Sequence, residues 1–125
     1  MASGLSSSRL SFDIPARRAA ELADIVILCL PTPSGADGAA DISAVETVVG
    51  DIAEVLGPGC IIVTKSTVPV GTGAWLAKIL GRPEIPVVAN PEFLREGQAV
   101  RDFFQPDRIV VGSETRSAAE RIAEL

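Results

Sequence analysis

The apolar residues of this chain follow two rhythms. Ile25-Val26-Ile27-Leu28-Cys29-Leu30 and Cys60-Ile61-Ile62-Val63-Thr64 are continuous runs, the pattern of parallel strands covered on both faces rather than of alternating, half-exposed ones. Pro86-Val87-Val88-Ala89 predicts a third strand and Arg108-Ile109-Val110-Val111-Gly112 a fourth. Between the first two runs, Ile42, Val45, Val48, Val49, Ile52, Val55 and Leu56 recur at helical spacing. They predict an amphipathic crossover helix with Asp41 as N-cap and Gly57-Pro58-Gly59 as its stop. Further helices are predicted over 14–22, into about Leu80 after the 65–72 loop, for a turn or two over 98–104, and over 113–125. The last can turn Ala118, Ala119, Ile122 and Leu125 to the sheet.

Strands alternating with helices imply an α/β fold, a Rossmann-like parallel sheet with helices on both faces, because each parallel connection needs a long crossover. Ligands of such sheets bind outside the carboxyl ends of the strands. Three unusual loops leave those ends here, over 31–35, 65–72 and 90–97, so the candidate site is composite.

The length of 125 residues and the 47% hydrophobic content fit one small domain with one core. Residues 1–9 are Ser- and Gly-rich and read as a loose start, with the domain over 10–125. With 11 Lys and Arg against 16 Asp and Glu, the net charge of -5 and the lack of a basic cluster exclude a general nucleic-acid binder. The apolar stretch 23–30 falls far short of the roughly 20 residues of a membrane span. No apolar secretory core follows Arg9, so a soluble, cytoplasmic protein is the expectation. Cys29 and Cys60 lie in or beside apolar runs and are expected to be reduced, buried and packed as small hydrophobes. Two isolated cysteines and no histidine give no metal set and no Ser-His or Cys-His nucleophile system.

The 125 residues contain no G-x-G-x-x-G turn of the kind that receives a dinucleotide pyrophosphate. Lys65-Ser66-Thr67 places an ammonium and two hydroxyls just past a buried strand, where they can bond a ligand or cap the next helix. In Pro91-Glu92-Phe93-Leu94-Arg95-Glu96-Gly97 two carboxylates stand four residues apart. Helical spacing would bring them to one face, to position a water, trade a proton or bind sugar hydroxyls. The plainer reading is a solvated acid pair with Arg95 as counter-ion.

Four segments, Leu30-Pro31-Thr32-Pro33, Lys65 to Thr72, Asn90 to Gly97 and Pro106-Asp107-Arg108-Ile109-Val110-Val111-Gly112, resemble in order and spacing the signatures of the UDP-glucose/GDP-mannose dehydrogenase family. The resemblance implies part of an NAD-dependent nucleotide-sugar 6-dehydrogenase. Its reaction is a four-electron oxidation of the C6 alcohol to a carboxylate through a thiol-bound intermediate. UDP-glucose is the expected substrate and GDP-mannose the alternative. It further implies that Leu30, Pro31, Thr32 and Pro33 lie along NAD, that Ser66 and Thr67 contact it, and that Thr67 helps to hold a catalytic water. By the same carry-over Glu92 is the acid/base, Glu96 touches both cofactor and sugar, and Phe93, Leu94 and Arg95 shape the sugar site. Pro106 to Gly112 reads as a structural strand.

Against the family pattern, residues 10–125 form only part of an NAD-binding domain, lacking the first βαβ unit with its glycine turn and acidic ribose ligand. The thiol nucleophile, a Lys and an Asn also find no counterpart, and Cys29 and Cys60 match neither the order nor the setting of that thiol. The isolated chain is therefore expected to be inactive and its parent to be a homodimer. The rival is a non-catalytic α/β binding or assembly module, since fold does not carry function with it.

Overall fold

The computed structural model describes residue 7, residues 9–12 and residues 14–125; most of the expected loose start lies outside them. In chain order the elements are α1 (Ala16–Glu21), β1 (Ile25–Leu28), α2 (Ser43–Ile52), β2 (Ile61–Thr64), α3 (Thr72–Leu80), β3 (Val87–Ala89), α4 (Ala99–Phe104) and α5 (Arg116–Ala123). The strands form one parallel sheet in the order β1-β2-β3. Ile25 stands opposite Ile61, and Ile62 opposite Val87. Among the described residues no helix is long and apolar enough to cross a membrane.

The two faces of the sheet are covered unequally. Leu28 and Ile62 join Ala20 of α1, Val45, Val49 and Ile52 of α2, and Leu76 and Leu80 of α3 in one buried cluster. On the other face Ile61, Val63 and Val88 meet only Ala118 and Ile122 of α5, with Ile25 and Val111 at the margin. β2, the central strand, is buried at all four positions, as its continuous apolar run requires. Among the described residues β1 pairs on one side only, and its Ile27, on the thinly covered face, is 53% exposed. Full coverage of both faces therefore holds for the second strand and not for the first. Of the residues expected to turn from the last helix to the sheet, Ala118 and Ile122 are buried, Ala119 is half-buried and Leu125 is exposed.

Local chemistry fixes the helix ends. The N-cap position of α2 is Ile42, one residue past the expected Asp41; Asp41 Oδ1 accepts the Ser43 N–H at 2.9 Å, and hydrogen bonding by the Ser43 side chain and then its backbone holds the Asp41 carboxyl below its ordinary pKa. α2 stops at Ile52, a turn earlier than its periodicity predicts. Arg82 Nη1 then donates to the carbonyls of Ala53 at 3.0 Å and Leu56 at 2.7 Å, satisfying groups that a helix end leaves bare. α3 lies between Gly71 and Gly81, both left-handed, with φ of 91° and 61°.

The predicted fourth strand does not form. Residues 108–111 carry no strand, and Gly112 makes a single antiparallel bridge to Ala89. Ile109 is 72% and Val110 40% exposed. The apolar, β-branched composition was suited to a strand, but strand propensity is realised only against a partner. Here the Asn90 side chain occupies the Val110 carbonyl at 2.8 Å and the segment touches the sheet only at its end.

Candidate functional site

The ends of β1 and β2 are joined through their loops. Lys65 N and Ser66 N donate to the Leu28 carbonyl at 3.0 and 3.3 Å. The Ser66 hydroxyl turns back to the Leu30 carbonyl at 2.6 Å. Thr32 Oγ1 donates to the Thr67 carbonyl at 2.9 Å. These bonds exclude the helix-capping reading of Lys65-Ser66-Thr67: α3 starts after Gly71 without a side-chain cap, and the one nearby hydroxyl bond runs from Thr72 to the Pro69 carbonyl.

The joined loops and the start of the 90–97 segment enclose a cleft of about 320 Å³ lined by Cys29, Leu30, Pro31, Thr32, Lys65, Ser66, Thr67 and Glu92. That volume is at the lower end of the range of small-molecule sites. Ser66 and Thr32 spend their hydroxyls on loop carbonyls. The Thr67 hydroxyl and the Glu92 carboxylate have no partner among the described residues, and both side chains are exposed. The cleft thus offers a free hydroxyl, a free carboxylate and the Lys65 ammonium, at the carboxyl ends of parallel strands where α/β sheets bind ligands.

Glu96 is not part of this lining. Residues 91–95 are irregular and 96–98 form a turn, so the expected helical pairing of Glu92 with Glu96 on one face is not realised. Two physical causes act together. Asn90, preceding a proline, is biased away from helix, and the carboxylate of Asp102 draws Arg95 round the start of α4. Arg95 N and Nε donate to Asp102 Oδ2 at 3.0 and 2.9 Å, and Nη2 to Oδ1 at 2.7 Å. Side-chain and backbone hydrogen bonds from Arg95 hold the Asp102 carboxyl down at about 2. Arg95 is therefore the counter-ion of Asp102, not of the acid pair. Phe93 and Leu94 lie nearby on an apolar groove with Ile27, Val63, Phe103 and Ile109, and the Arg108 guanidinium sits 4.8 Å over the Phe93 ring.

Cys29 corrects a second expectation, since it is exposed and lines the cleft while Cys60 is buried. β1 ends at Leu28, so the residue after it leaves the sheet instead of packing within it. Burial, then the charge of Asp24, pushes the Cys60 thiol above its ordinary pKa. Lys65 and Asn90 bond across 25 residues of sequence, Nζ to Oδ1 at 3.1 Å. Their sequence signal was limited to an ammonium and an amide each placed one residue past a buried strand. No cluster of three or more candidate metal ligands occurs among the described residues.

Comparison with known proteins agrees with this architecture. The model of the UDP-glucose/GDP-mannose dehydrogenase family, NAD binding domain, matches residues 1–125. The chain is 39% identical to a UDP-glucose 6-dehydrogenase of Pseudomonas aeruginosa over 97% of its own length and 28% of that protein's. It is 44% identical to one of Rhizobium meliloti over 90% of its length and 27% of the relative's. The structure of a UDP-glucose dehydrogenase from Pyrobaculum islandicum superposes with a TM-score of 0.82 at 37% identity, covering 98% of this chain and 30% of that one. That of a Pseudomonas aeruginosa GDP-mannose dehydrogenase gives 0.82 at 27% identity, covering 98% and 31%. The chain thus spans less than a third of the length of these relatives, and it belongs to the UDP-glucose/GDP-mannose dehydrogenase family, within the NAD-binding domain.

Proposed function

We propose that this chain supplies one wall of the cofactor and sugar site of an NAD-dependent nucleotide-sugar 6-dehydrogenase that oxidises UDP-glucose to UDP-glucuronate. The observation that carries the reading is the shared cleft of Thr67 and Glu92, both polar, exposed and free of partners. The relatives matched at 39 and 44% identity bear the name UDP-glucose 6-dehydrogenase, which favours that sugar. GDP-mannose is the second reading, supported by the equal TM-score of 0.82 for the GDP-mannose dehydrogenase structure.

The donor set of the cleft fits one side of NAD. Leu30, Pro31 and Thr32 give a proline-stiffened wall, with Pro33 just outside it, and Ser66, locked to Leu30 at 2.6 Å, keeps that wall in register with Thr67. When bound, NAD supplies the hydride acceptor for each two-electron step. Thr67 offers its hydroxyl to a water, and Glu92 exchanges a proton with that water or with the C6 oxygen, as a free carboxylate beside a reacting carbon can. Phe93, Leu94 and Arg95 shape the sugar side, and Glu96 contacts cofactor and sugar in the complete polypeptide. Cys29, although it opens on the cleft, is not assigned the aldehyde-capturing role.

Glu92→Gln in the complete polypeptide tests the reading. Turnover should fall about 10² to 10⁴-fold, the usual contribution of general acid–base assistance, with sugar binding little changed. Near-normal turnover in a variant whose circular dichroism is unaltered removes Glu92 from the chemistry.

A further inference from the structure

We propose that Lys65 is a positioning residue: through Asn90 it fixes the departure of the Glu92 loop relative to the Thr67 loop. The inference rests on the reading of the cleft given above and adds a role that the family motifs do not assign. Lys65 stands where three strand ends meet. Its N–H donates to the Leu28 carbonyl at the end of β1, it follows β2 directly, and its Nζ donates to Asn90 Oδ1 just past β3 at 3.1 Å.

Asn90 is itself held at three points, its Oδ1 by Lys65. Its N–H donates to the Thr64 carbonyl at 3.0 Å, and Nδ2 donates to the Val110 carbonyl at 2.8 Å. A residue before proline is confined to extended backbone, so fixing the Asn90 side chain also fixes the direction in which Pro91 and Glu92 leave the sheet. The same amide closes the base of the 91–111 excursion, beside the two Ala89–Gly112 hydrogen bonds of 2.7 and 2.8 Å. None of residues 91–111 is buried, and α4 within it contributes no buried side chain. Few apolar contacts therefore hold the excursion, and a charge-assisted bond at its root carries more of its geometry than it would in a packed segment. An ammonium has three donors. Among the described residues Lys65 Nζ uses one, and the side chain lines the cleft.

Amide hydrogen exchange on the chain tests the coupling. In Lys65→Met the amides of Asn90 and Gly112 should exchange about tenfold faster, while Val49 and Ile62 in the core keep their rates. Lys65→Arg, which retains a cationic donor, should return both amides to within about threefold of the parent. Lys65→Met combined with Asn90→Ala should exchange no faster than Asn90→Ala alone, since Asn90→Ala already removes the bond to Lys65. If Lys65→Met does not fold, Asn90→Ala against Asn90→Asp gives the comparison from the other end, because both lose the bond to the Val110 carbonyl and only Asp keeps an acceptor for Lys65. Unchanged exchange at Asn90 and Gly112 in a folded variant overturns the proposal. In the complete polypeptide, Lys65→Met should lower kcat about tenfold with the KM for NAD unchanged, and an unaltered kcat alongside faster exchange also overturns the positioning role. Faster exchange with no dehydrogenase activity in the unsubstituted polypeptide instead retires the functional reading and leaves the coupling standing.

Discussion

Thr32 donates its hydroxyl to the backbone carbonyl of Thr67 at 2.9 Å, joining the loops that leave β1 and β2 across 35 residues of sequence. Thr32→Val keeps the shape and deletes the donor. The chain should lose about 0.5–1.5 kcal/mol, the net worth of such a bond, read from the urea midpoint at unchanged slope. A midpoint equal to that of the parent would show that water replaces the bond at no cost.

The core on the three-helix face should respond far more strongly. Ile52 and Leu76 are within 1% of complete burial and belong to one cluster. Replacing either by alanine removes apolar burial and leaves a void, at about 2–5 kcal/mol, a large part of the stability of a small domain. Thermal unfolding followed by circular dichroism measures it.

Acid should loosen the start of α4 before it touches the core. The Asp102 carboxyl lies at about 2 in the folded chain against an ordinary 3.8. A depressed carboxylate contributes stability that is fully present above the unfolded value and is lost as pH falls through the folded one. Stability should therefore decline between about pH 4 and pH 2, and Asp102→Asn should flatten that part of the curve. An Asp102→Asn chain with the same acid profile as the parent would assign the loss to other carboxylates.

The two thiols should differ sharply in reactivity. Cys29 is exposed, while Cys60 is buried with a raised pKa. An alkylating reagent at pH 8 should modify Cys29 about a hundredfold faster, because Cys60 must wait for an opening of the structure. Mass spectrometry of timed samples separates the two, and Cys29→Ser should abolish the fast phase alone.

NAD should bind this chain weakly, with a dissociation constant above roughly 100 μM, since the cleft offers one wall and no glycine turn for the pyrophosphate. Calorimetric titration gives the value. A micromolar constant would point to a second phosphate-binding element among these residues.

Much of this was legible from residue order. The continuous runs around Ile27 and Ile62 identified parallel strands, and the spacing of Val45, Val49 and Ile52 identified the helix beneath them, because burial on a fixed period leaves a local trace. The roles proposed for Glu92 and Thr67 rest on their motifs together with the cleft they share. What sequence could not give was tertiary competition. Asp102 captures Arg95 seven residues away and so unwinds the pairing expected of Glu92 and Glu96. Asn90 takes the Val110 carbonyl, where a fourth strand would have needed it. The exposure of Cys29 turns on a strand that ends two residues earlier than the apolar run suggests.

The bare side of β1 has a consequence for handling the chain in solution. Among the described residues its outer backbone edge has no strand beside it, and Ile27 presents a half-exposed apolar side chain. Such an edge is a template onto which another molecule can add a strand. Opposing this is the mutual repulsion of molecules carrying a net charge of -5, which reaches only about 8 Å at physiological salt. Colloidal behaviour should therefore follow ionic strength: dispersed in dilute buffer near neutral pH, the chain should scatter more light as salt is added, and most near its pI of about 4.6, where the repulsion vanishes.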